Sequence, residues 1–527
     1  MNPNARKFLL GGLLLVGVGA CTDVTLEPKS AISSTNVFNE PAAYKQFLAK
    51  LYGGLVLTGQ SGPFGNSDLT TNDEGFSQYM RLYWQMQELP TEEAAIAWGD
   101  GALQELNTQT WGATNPFLTS MYYRVFFQAS MVNEFLRETS DAKLASRGVS
   151  GTLATEIKQY RAEARFLRAL SYWHGIDLFG DIPLVKETDP IGKVAPQQAK
   201  RADIFAYVTS ELLAIRNELP PAGGAQYGRA DQGAVAMLLA KLYLNAQVYT
   251  GTARYSEARA EAERVIAGSY VLDPNFRRIF SADNHTSPEL VFALPQDGKK
   301  SQNYGAMTTF VHASVGGDMS AAEYGINGGW WGLRLKPQVL SWFPGNGGPT
   351  TPDKRSEHFF FQNQSVAMNE LTNFQQGIAA PKFSNKTSTG AAGSDGEFVD
   401  TDYPMFRLGD AYLIYAEAVV RGGGGTRVLA LDYINRLRRR AYGNNSGDIT
   451  DAQMTVDFML DERGRELLWE GTRRQDLIRY GRFTTVGVWA WKGNVVAGRV
   501  TDAKYNLFPL PASELLANPN LKQNTGY

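Results

Sequence analysis

The chain has 527 residues, 43% of them hydrophobic and 20% charged, and a formal net charge of −2. These values are ordinary for a globular protein with a large buried core. A charge so close to zero excludes binding to nucleic acid or to an anionic membrane by charge alone.

The first 20 residues have the features of an export signal. Arg6 and Lys7 precede an apolar run over 8–18, and small residues follow that run. At about 1.5 Å per residue the run is too short to cross a bilayer as a helix. We therefore predict a signal peptide over 1–20. Its removal takes away two positive charges and changes the net charge from −2 to about −4.

The only cysteine of the chain, Cys21, comes directly after this signal. A lone thiol cannot form an internal disulfide, and a structural zinc site needs about four ligands. Attachment of lipid is the remaining use, and several acyl chains hold a protein stably because each buried CH₂ contributes about 0.8 kcal/mol. The alternative is an ordinary signal peptide followed by a cysteine by chance. We predict lipidation at Cys21 and a stalk over 21–34.

We predict one mainly α-helical domain over 35–527. Each predicted helix pair has about the size of a tetratricopeptide repeat, but the pairs are unevenly spaced, which indicates a broken solenoid. The longest insert, about 271–402, is predicted to be rich in loops with short strands such as 290–294. A single further helix is predicted over 117–138. Helical spacing of apolar residues predicts the pairs 159–179 with 202–219, 231–249 with 255–267, and 409–421 with 427–441.

Motifs for catalysis or for metal binding are absent from the sequence. The four histidines show no metal-ligand spacing. No nucleophile elbow and no phosphate-binding loop occurs, and the glycine run 422–425 is predicted to be a turn. We therefore predict neither a cofactor nor a metal site.

Three carboxylates recur every four residues at Glu462, Glu466 and Glu470, among several arginines. A pair of carboxylates can hydrolyse glycosides. Carboxylates matched by arginines on one helix are more often structural ion pairs, and we favour that interpretation.

Aromatic residues give the positive signal for a binding site. Several cluster before the helix over 117–138, and two tryptophans lie together in a glycine-rich part of the insert. Flat aromatic faces with a polar rim bind amphipathic ligands such as sugar rings, although each single ring could instead be a packing residue. The candidate ligand-binding residues are Trp98, Trp330, Trp331, Trp84, Tyr83 and Asn327.

Several segments, together with the cysteine after the export signal, resemble the SusD/RagB family of outer-membrane nutrient-binding lipoproteins. They occur in the family's order and extend to the last residue. The segments are YRAEARFLRA at 160–169 with FGDIPLV at 179–185, DAYLIYAEA at 410–418, ERGREL…EGTR…DL at 462–477, and FPLP…NPNLKQNTGY at 508–527.

This resemblance implies a lipid-anchored protein of the outer membrane that faces the cell exterior. It implies a lid on a SusC-like TonB-dependent transporter, which captures a glycan, or an oligopeptide in some relatives, and catalyses no reaction. Some relatives bind calcium, but the sequence contains no loop of spaced acidic residues that would support a calcium site.

Two alternatives to glycan binding stay open at this stage. An oligopeptide ligand would call for a groove lined by charged residues, whereas abundant exposed aromatic rings favour sugar. A glycoside hydrolase would need two carboxylates about 5 or about 6.5–9.5 Å apart across a cleft. Its candidates in the insert are Asp318, Glu323 and Asp353.

Overall fold

A computed structural model of the chain describes residues 37–60, 62–63, 67–69, 75–192 and 194–527. The predicted signal peptide, the lipidation site Cys21 and the predicted stalk lie outside the described residues. None of the helices in the described ranges combines the length and the apolar character that a membrane crossing requires.

Helices dominate the described residues and are connected by loops and by very short strands. The strands are β1 (Ala95–Ile96), β2 (Ile182–Pro183), β3 (Gln198–Ala199), β4 (Leu290–Leu294), β5 (Leu333–Arg334) and β6 (Tyr403–Arg407). The helices are α1 (Pro41–Val56), α2 (Tyr79–Glu88), α3 (Gly101–Thr108), α4 (Pro116–Glu138), α5 (Asp141–Ser146), α6 (Gly151–Phe179), α7 (Arg201–Ile215), α8 (Gln232–Leu244), α9 (Ala246–Thr250), α10 (Tyr255–Ile266), α11 (Ala306–Ala313), α12 (Leu408–Val420), α13 (Arg427–Tyr442), α14 (Val456–Leu467), α15 (Arg473–Arg479) and α16 (Ala512–Ala517).

The mainly α-helical fold is confirmed, and so are the predicted helix pairs, except that the helix predicted over 231–249 is divided at Asn245 into α8 and α9. Helix α6 packs on α7, α8 on α10, and α12 on α13, while α10 also packs on α12 and so joins two pairs. The buried small side chains of Ala258 and Ala262 on α10 allow this close approach. Helix α4, predicted over 117–138, packs on α6.

Helix α2 was not predicted, although Arg81, Gln85 and Glu88 recur at helical spacing. All ten of its residues are buried, including these three, so its polar positions do not mark a face exposed to solvent. One expectation about α14 is wrong. Glu470 does not share a helix with Glu462 and Glu466, because α14 ends at Leu467 and Trp469 adopts a left-handed φ of 61°.

Two antiparallel strand pairs fix the insert in place. Strand β4, as predicted over 290–294, pairs with β6, which joins the two ends of the insert. Strand β1 pairs with β5 and sets Ala95 opposite Arg334 and Ile96 opposite Leu333. This second pair connects the segment before α3 to the middle of the insert.

Glu462, Glu466 and Glu470 lie in a buried network of ion pairs, which confirms the structural interpretation of these residues. Glu462 contacts Arg355 at 2.8 Å and Arg438 at 2.7 Å. Glu466 contacts Arg407 at 2.7 Å. We call this set the ionic network; its further members are Glu289, Asp353, Lys382, Arg440 and Glu470.

Candidate functional site

The pairing of β1 with β5 brings Trp98 and Trp330 together. Trp98 follows β1 by two residues and Trp330 precedes β5 by three. The indole Nε1–H of Trp98 donates to the carbonyl oxygen of Trp330 at 2.8 Å, and the ring centroids are 6.4 Å apart at an angle of 46°. Gly332 permits this approach, because a Cβ at that position would lie 3.0 Å from the Trp98 ring.

A third ring, Tyr304, extends this surface beside Trp330. The two ring centroids are 6.2 Å apart and their planes are inclined at 47°. The Tyr304 hydroxyl donates to the carboxylate of Glu397. We call Trp98, Trp330 and Tyr304 the aromatic platform; all three side chains are partly exposed.

Tyr304 was missed by sequence reasoning. It lies in a short polar stretch, SQNYG at 301–305, between β4 and α11, and nothing in that stretch distinguishes it from the other tyrosines of the chain. A tyrosine within a polar loop of the insert would have been the only available signal.

His312 supports the platform from α11. Its ring stacks on Trp330 with centroids 4.6 Å apart and an interplanar angle of 26°. Its Nδ1 lies 2.6 Å from the carbonyl oxygen of Gly328 and its Nε2 lies 2.9 Å from that of Glu397. Burial lowers the pKa of His312, although both carbonyl contacts oppose this shift. The ring is therefore fixed between two backbone segments of the insert.

Arg81 joins two parts of the platform from below the surface. Its guanidinium lies 5.8 Å from the Trp98 ring centroid, and its Nη1 donates to the carbonyl oxygen of Tyr304 at 3.2 Å. Burial lowers the pKa of Arg81 to about 10, and Asp100 opposes that shift. A cation near the Trp98 ring attracts the negative face of its π system and helps to hold its orientation.

Asn327 and Trp331 lie beside the platform rather than within it. Asn327 is exposed, and its backbone N–H donates to the carbonyl oxygen of Gly396 at 2.8 Å. Trp331 is 50% exposed with a left-handed φ of 52°. Its ring lies 5.8 Å from that of Phe374, and across the described ranges it makes no ring contact with the platform.

The expectation that Tyr83 and Trp84 contact a ligand is corrected by their position. They are only 2% and 1% exposed, because the whole of α2 is buried. Tyr83 stacks on His174 with centroids 3.9 Å apart, and the Trp84 indole donates to the carbonyl oxygen of Trp469 at 2.8 Å. Both are packing residues of the core.

Of the three carboxylates considered for a hydrolase, Asp353 cannot form a catalytic pair with either of the other two. Asp353 is fully buried and contacts the Arg355 guanidinium at 2.7 Å, as part of the ionic network. Asp318 and Glu323 are exposed, and Asp318 accepts a hydrogen bond from Asn363. In the ranges that the structure describes, no group of three His, Cys, Asp or Glu residues is placed to hold a metal ion.

A cavity of about 860 Å³, lined in part by Tyr227, Asp400 and Asp402, does not include the platform. Its carboxylates are already engaged: Asp402 accepts from Tyr227 and from the Gln296 N–H, and Asp400 accepts from Ser394. We place the candidate site at the platform because sugar rings stack on exposed aromatic faces without needing an enclosed cavity.

The chain is similar to known proteins of one family. The model of the SusD family matches residues 352–527. The starch-binding protein SusD of Bacteroides thetaiotaomicron is 32% identical over 524 residues, which cover 91% of each chain. The SusD-like protein P25 of Formosa agariphila is 24% identical over 541 residues, which cover 95% of each chain.

Two solved structures show the same fold at low sequence identity. A SusD homologue from Bacteroides thetaiotaomicron has a TM-score of 0.74 and 19% identity, covering 94% of this chain and 98% of that one. The surface glycan-binding protein A of Bacteroides thetaiotaomicron, in complex with laminarihexaose, has a TM-score of 0.67 and 18% identity, covering 92% and 99%. The extent of the match to the starch-binding protein shows that this chain belongs to the SusD family.

Proposed function

We propose that this protein binds glycan chains on the aromatic platform at the cell surface, without cleaving them, and delivers them to a SusC-like TonB-dependent transporter. The single observation that carries the proposal is the cluster of three partly exposed rings, of which Trp98 and Trp330 are brought together by the pairing of β1 with β5. Aromatic faces with polar neighbours are suited to the apolar faces and hydroxyl edges of sugar rings.

The angles between the rings favour a curved glycan over a flat one. Trp98 is tilted by 46° to Trp330, and Trp330 by 47° to Tyr304, so the three faces are not coplanar. A flat, ribbon-like chain would lie on one ring at a time, whereas a chain that curves can contact all three. Helical α-glucans are one class of curved chain.

The names of two similar proteins support the same ligand class. One relative is a starch-binding protein, and one neighbour in fold was solved with laminarihexaose. Starch and laminarihexaose are both built from glucose. Maltoheptaose, a soluble fragment of starch, is therefore the first probe, and laminarihexaose is the second.

Binding and cleavage are separated by one experiment on the mature protein. Titration calorimetry with maltoheptaose should show saturable binding, and prolonged incubation should release no new reducing ends. Steady release of reducing ends would contradict the non-enzymatic function. An oligopeptide that displaces the sugar with higher affinity would instead favour the peptide alternative.

The anchor is also part of this proposal. Lipid on Cys21 would hold the chain at the outer membrane beside the transporter, and the cysteine after an export signal supports this location. A Cys21→Ser variant should be lost from the membrane fraction and recovered in soluble form. Unchanged retention in the membrane would contradict lipid anchoring.

A further inference from the structure

A second concavity, of about 460 Å³, lies between α3, the insert loop over 369–372 and the segment over 491–494. It contains no residue of the aromatic platform. Its lining includes one tryptophan, Trp491, and several polar side chains of which Asn369, Glu370 and Asn494 matter here. A single large ring with amides and a carboxylate around it is the composition of a saccharide site.

The Trp491 ring is held in place by its surroundings. Its Nε1–H donates to the carbonyl oxygen of Met368 at 2.8 Å, and the ring packs against the small apolar cluster of Ala95, Met368 and Leu371. The side chain remains partly exposed and lines the cavity. A ring fixed in this way loses little conformational freedom when a ligand stacks on it.

The backbone that presents this ring is strained. Trp491 has a φ of 67° and Asn494 a φ of 59°, both in the left-handed region that residues with a Cβ seldom occupy. Two hydrogen bonds stabilise the turn: Trp491 N–H to Val496 O at 3.2 Å, and Asn494 N–H to Trp491 O at 3.1 Å. Strain of this kind is concentrated at functional sites more than elsewhere.

Three polar side chains of the lining are available to a ligand. Asn369, Glu370 and Asn494 are exposed, and within the described part of the chain their side chains make no hydrogen bond or ion pair. They offer two amides and one carboxylate, which can accept from and donate to sugar hydroxyls. Thr108, by contrast, donates to the Gln104 carbonyl oxygen at 2.8 Å and serves the internal structure of α3.

The cavity and the platform are built on the same short segment. Ala95 of β1 lies in the cluster under Trp491, and Trp98 follows three residues later. Gln104, which lines the cavity, donates through Nε2 to the carbonyl oxygen of Trp98 at 2.6 Å. The two ring-bearing surfaces are therefore connected through the segment over 95–104.

We propose that this cavity is a second glycan subsite, in which a saccharide stacks on Trp491 and hydrogen-bonds Asn369 and Glu370. The ligand class rests on the function proposed above, but the subsite is distinct from the platform. Occupation of both sites by one polysaccharide raises the apparent affinity without any new contact at either site.

Calorimetry with maltotriose, which is short enough to occupy one site at a time, tests the proposal by stoichiometry. The mature protein should bind two molecules per chain, Trp491→Ala should weaken one of the two sites, Trp330→Ala the other, and the double variant both. For soluble starch, Trp491→Ala should lower the apparent affinity by about tenfold or more, since avidity is lost.

A second variant keeps the test valid if Trp491→Ala misfolds. Asn369→Ala with Glu370→Ala removes two exposed, unpartnered side chains and should weaken the same site while the melting temperature stays unchanged. The second subsite would be overturned if the parent protein had one binding site, abolished by Trp330→Ala and unaffected by substitutions at 491 or 369–370. The proposed function would then remain intact. Absence of binding to the parent protein would instead contradict the proposed function itself.

Discussion

The ring of Trp330 has three neighbours, with centroids 4.6 Å away in His312, 6.2 Å in Tyr304 and 6.4 Å in Trp98. Its carbonyl oxygen also accepts the indole N–H of Trp98. Trp331, the next residue in the chain, has none of these contacts and packs near Phe374 instead. Two adjacent tryptophans therefore have different surroundings, and they make a matched pair for mutation.

Trp330→Ala should reduce the affinity for maltoheptaose by about 5- to 150-fold. This corresponds to a loss of about 1–3 kcal/mol of stacking free energy, by analogy with bases stacked on aromatic side chains. Trp331→Ala should cause a smaller loss, because Trp331 lies outside the platform. Calorimetry gives both affinities, and thermal unfolding shows whether the fold is retained. A large drop in melting temperature with intact affinity would mean that Trp330 is a packing residue.

At the scale of single residues, composition and position made Trp98 and Trp330 predictable as candidates. A tryptophan in a glycine-rich segment has little regular structure around it in which to be buried, and this reasoning applied to Trp330 and Trp331. Tyr83 and Trp84 were candidates for another reason, the cluster of aromatic residues before the helix over 117–138, and that signal misplaced them because the whole of α2 is buried. Tyr304 depends on a contact with Trp330 that no local pattern encodes.

Among the secondary-structure elements, β1, α3 and β5 together present Trp98, and Lys336 connects the segment after β5 to α3 and to residues 89–91, which precede β1. Lys336 follows β5 by two residues and is fully buried. Its Nζ lies 3.3 Å from the carbonyl oxygen of Leu89, 2.7 Å from that of Thr91 and 3.3 Å from that of Asn107 on α3. Burial lowers the pKa of Lys336 to about 7, and the three carbonyl oxygens match the three N–H donors of its ammonium form.

Lys336→Met should lower both the stability of the protein and its affinity for the glycan at pH 8. Buried carbonyl groups that lose their donor cost about 1–3 kcal/mol each in the free energy of unfolding, and Trp98 loses support from its own segment. Chemical unfolding and calorimetry on the same sample measure the two effects.

Asn435→Ala is the control for this element. Asn435 is also buried and holds a loop, since its side chain donates to Ile449 at 3.0 Å and accepts from the same residue at 2.8 Å. Asn435 contacts none of the platform-bearing elements named above. The Asn435→Ala variant should therefore lower the stability of the protein and leave its affinity for the glycan unchanged. Equal losses of affinity in both variants would show that Lys336 acts only through global stability.

The pairing of β1 with β5 also marks how far elements can be predicted from the sequence. Long amphipathic helices such as α6 and α12 were predicted because their apolar period is sustained over several turns. Two-residue strands carry no such period. The paired residues are far apart in the chain, 237 positions for Ile96 with Leu333 and 239 for Ala95 with Arg334, so the strand pair that brings Trp98 to Trp330 could not be found from local sequence.

In the whole molecule, the ionic network connects the insert to the helical scaffold. Glu466 is fully buried and contacts Arg407 at 2.7 Å and Arg355 at 3.2 Å, and it also pairs with Arg440. Burial alone would raise the pKa of Glu466, but attraction to Arg440, Arg407 and Arg355 outweighs it and lowers this pKa to about 2. The pKa of Glu462 is lowered for the same reason.

Glu466→Gln should destabilise the protein by about 3–5 kcal/mol at pH 7, because three buried arginines lose part of their counter-charge. The pKa of Glu466 is lower in the folded than in the unfolded state, so its stabilisation is complete above about pH 4.5 and is lost as the pH falls toward about 2. The variant should therefore show a shallower loss of stability with acid over this interval. Urea unfolding at pH 7, 4 and 3 measures the difference.

Glu257→Gln provides the comparison for a surface ion pair. Glu257 lies 3.4 Å from Arg254, and both side chains are about half exposed (45% and 46%). Such pairs contribute about 0–1 kcal/mol, so this variant should unfold like the parent protein at every pH. A Glu466→Gln variant with the same behaviour would contradict the stabilising role of the network.

The spacing of carboxylates and arginines on α14 predicted that they form ion pairs. It could not predict their partners, because Arg355 lies 107 positions from Glu462 and Arg407 lies 59 positions from Glu466. A buried charge needs a partner that is close in space, and the sequence shows only which residues are close along the chain.

The ionic network has a consequence for engineering hybrids of this protein with its relatives. Its members are spread from Glu289 to Glu470. A hybrid whose two parts are joined between these positions would combine charged residues from two different proteins. Some of these buried charges would then lack their partners. The turn over 327–332, which carries Trp330, contributes no member to the network. Transplanting that turn between relatives should therefore alter which sugar is preferred while the recipient still folds.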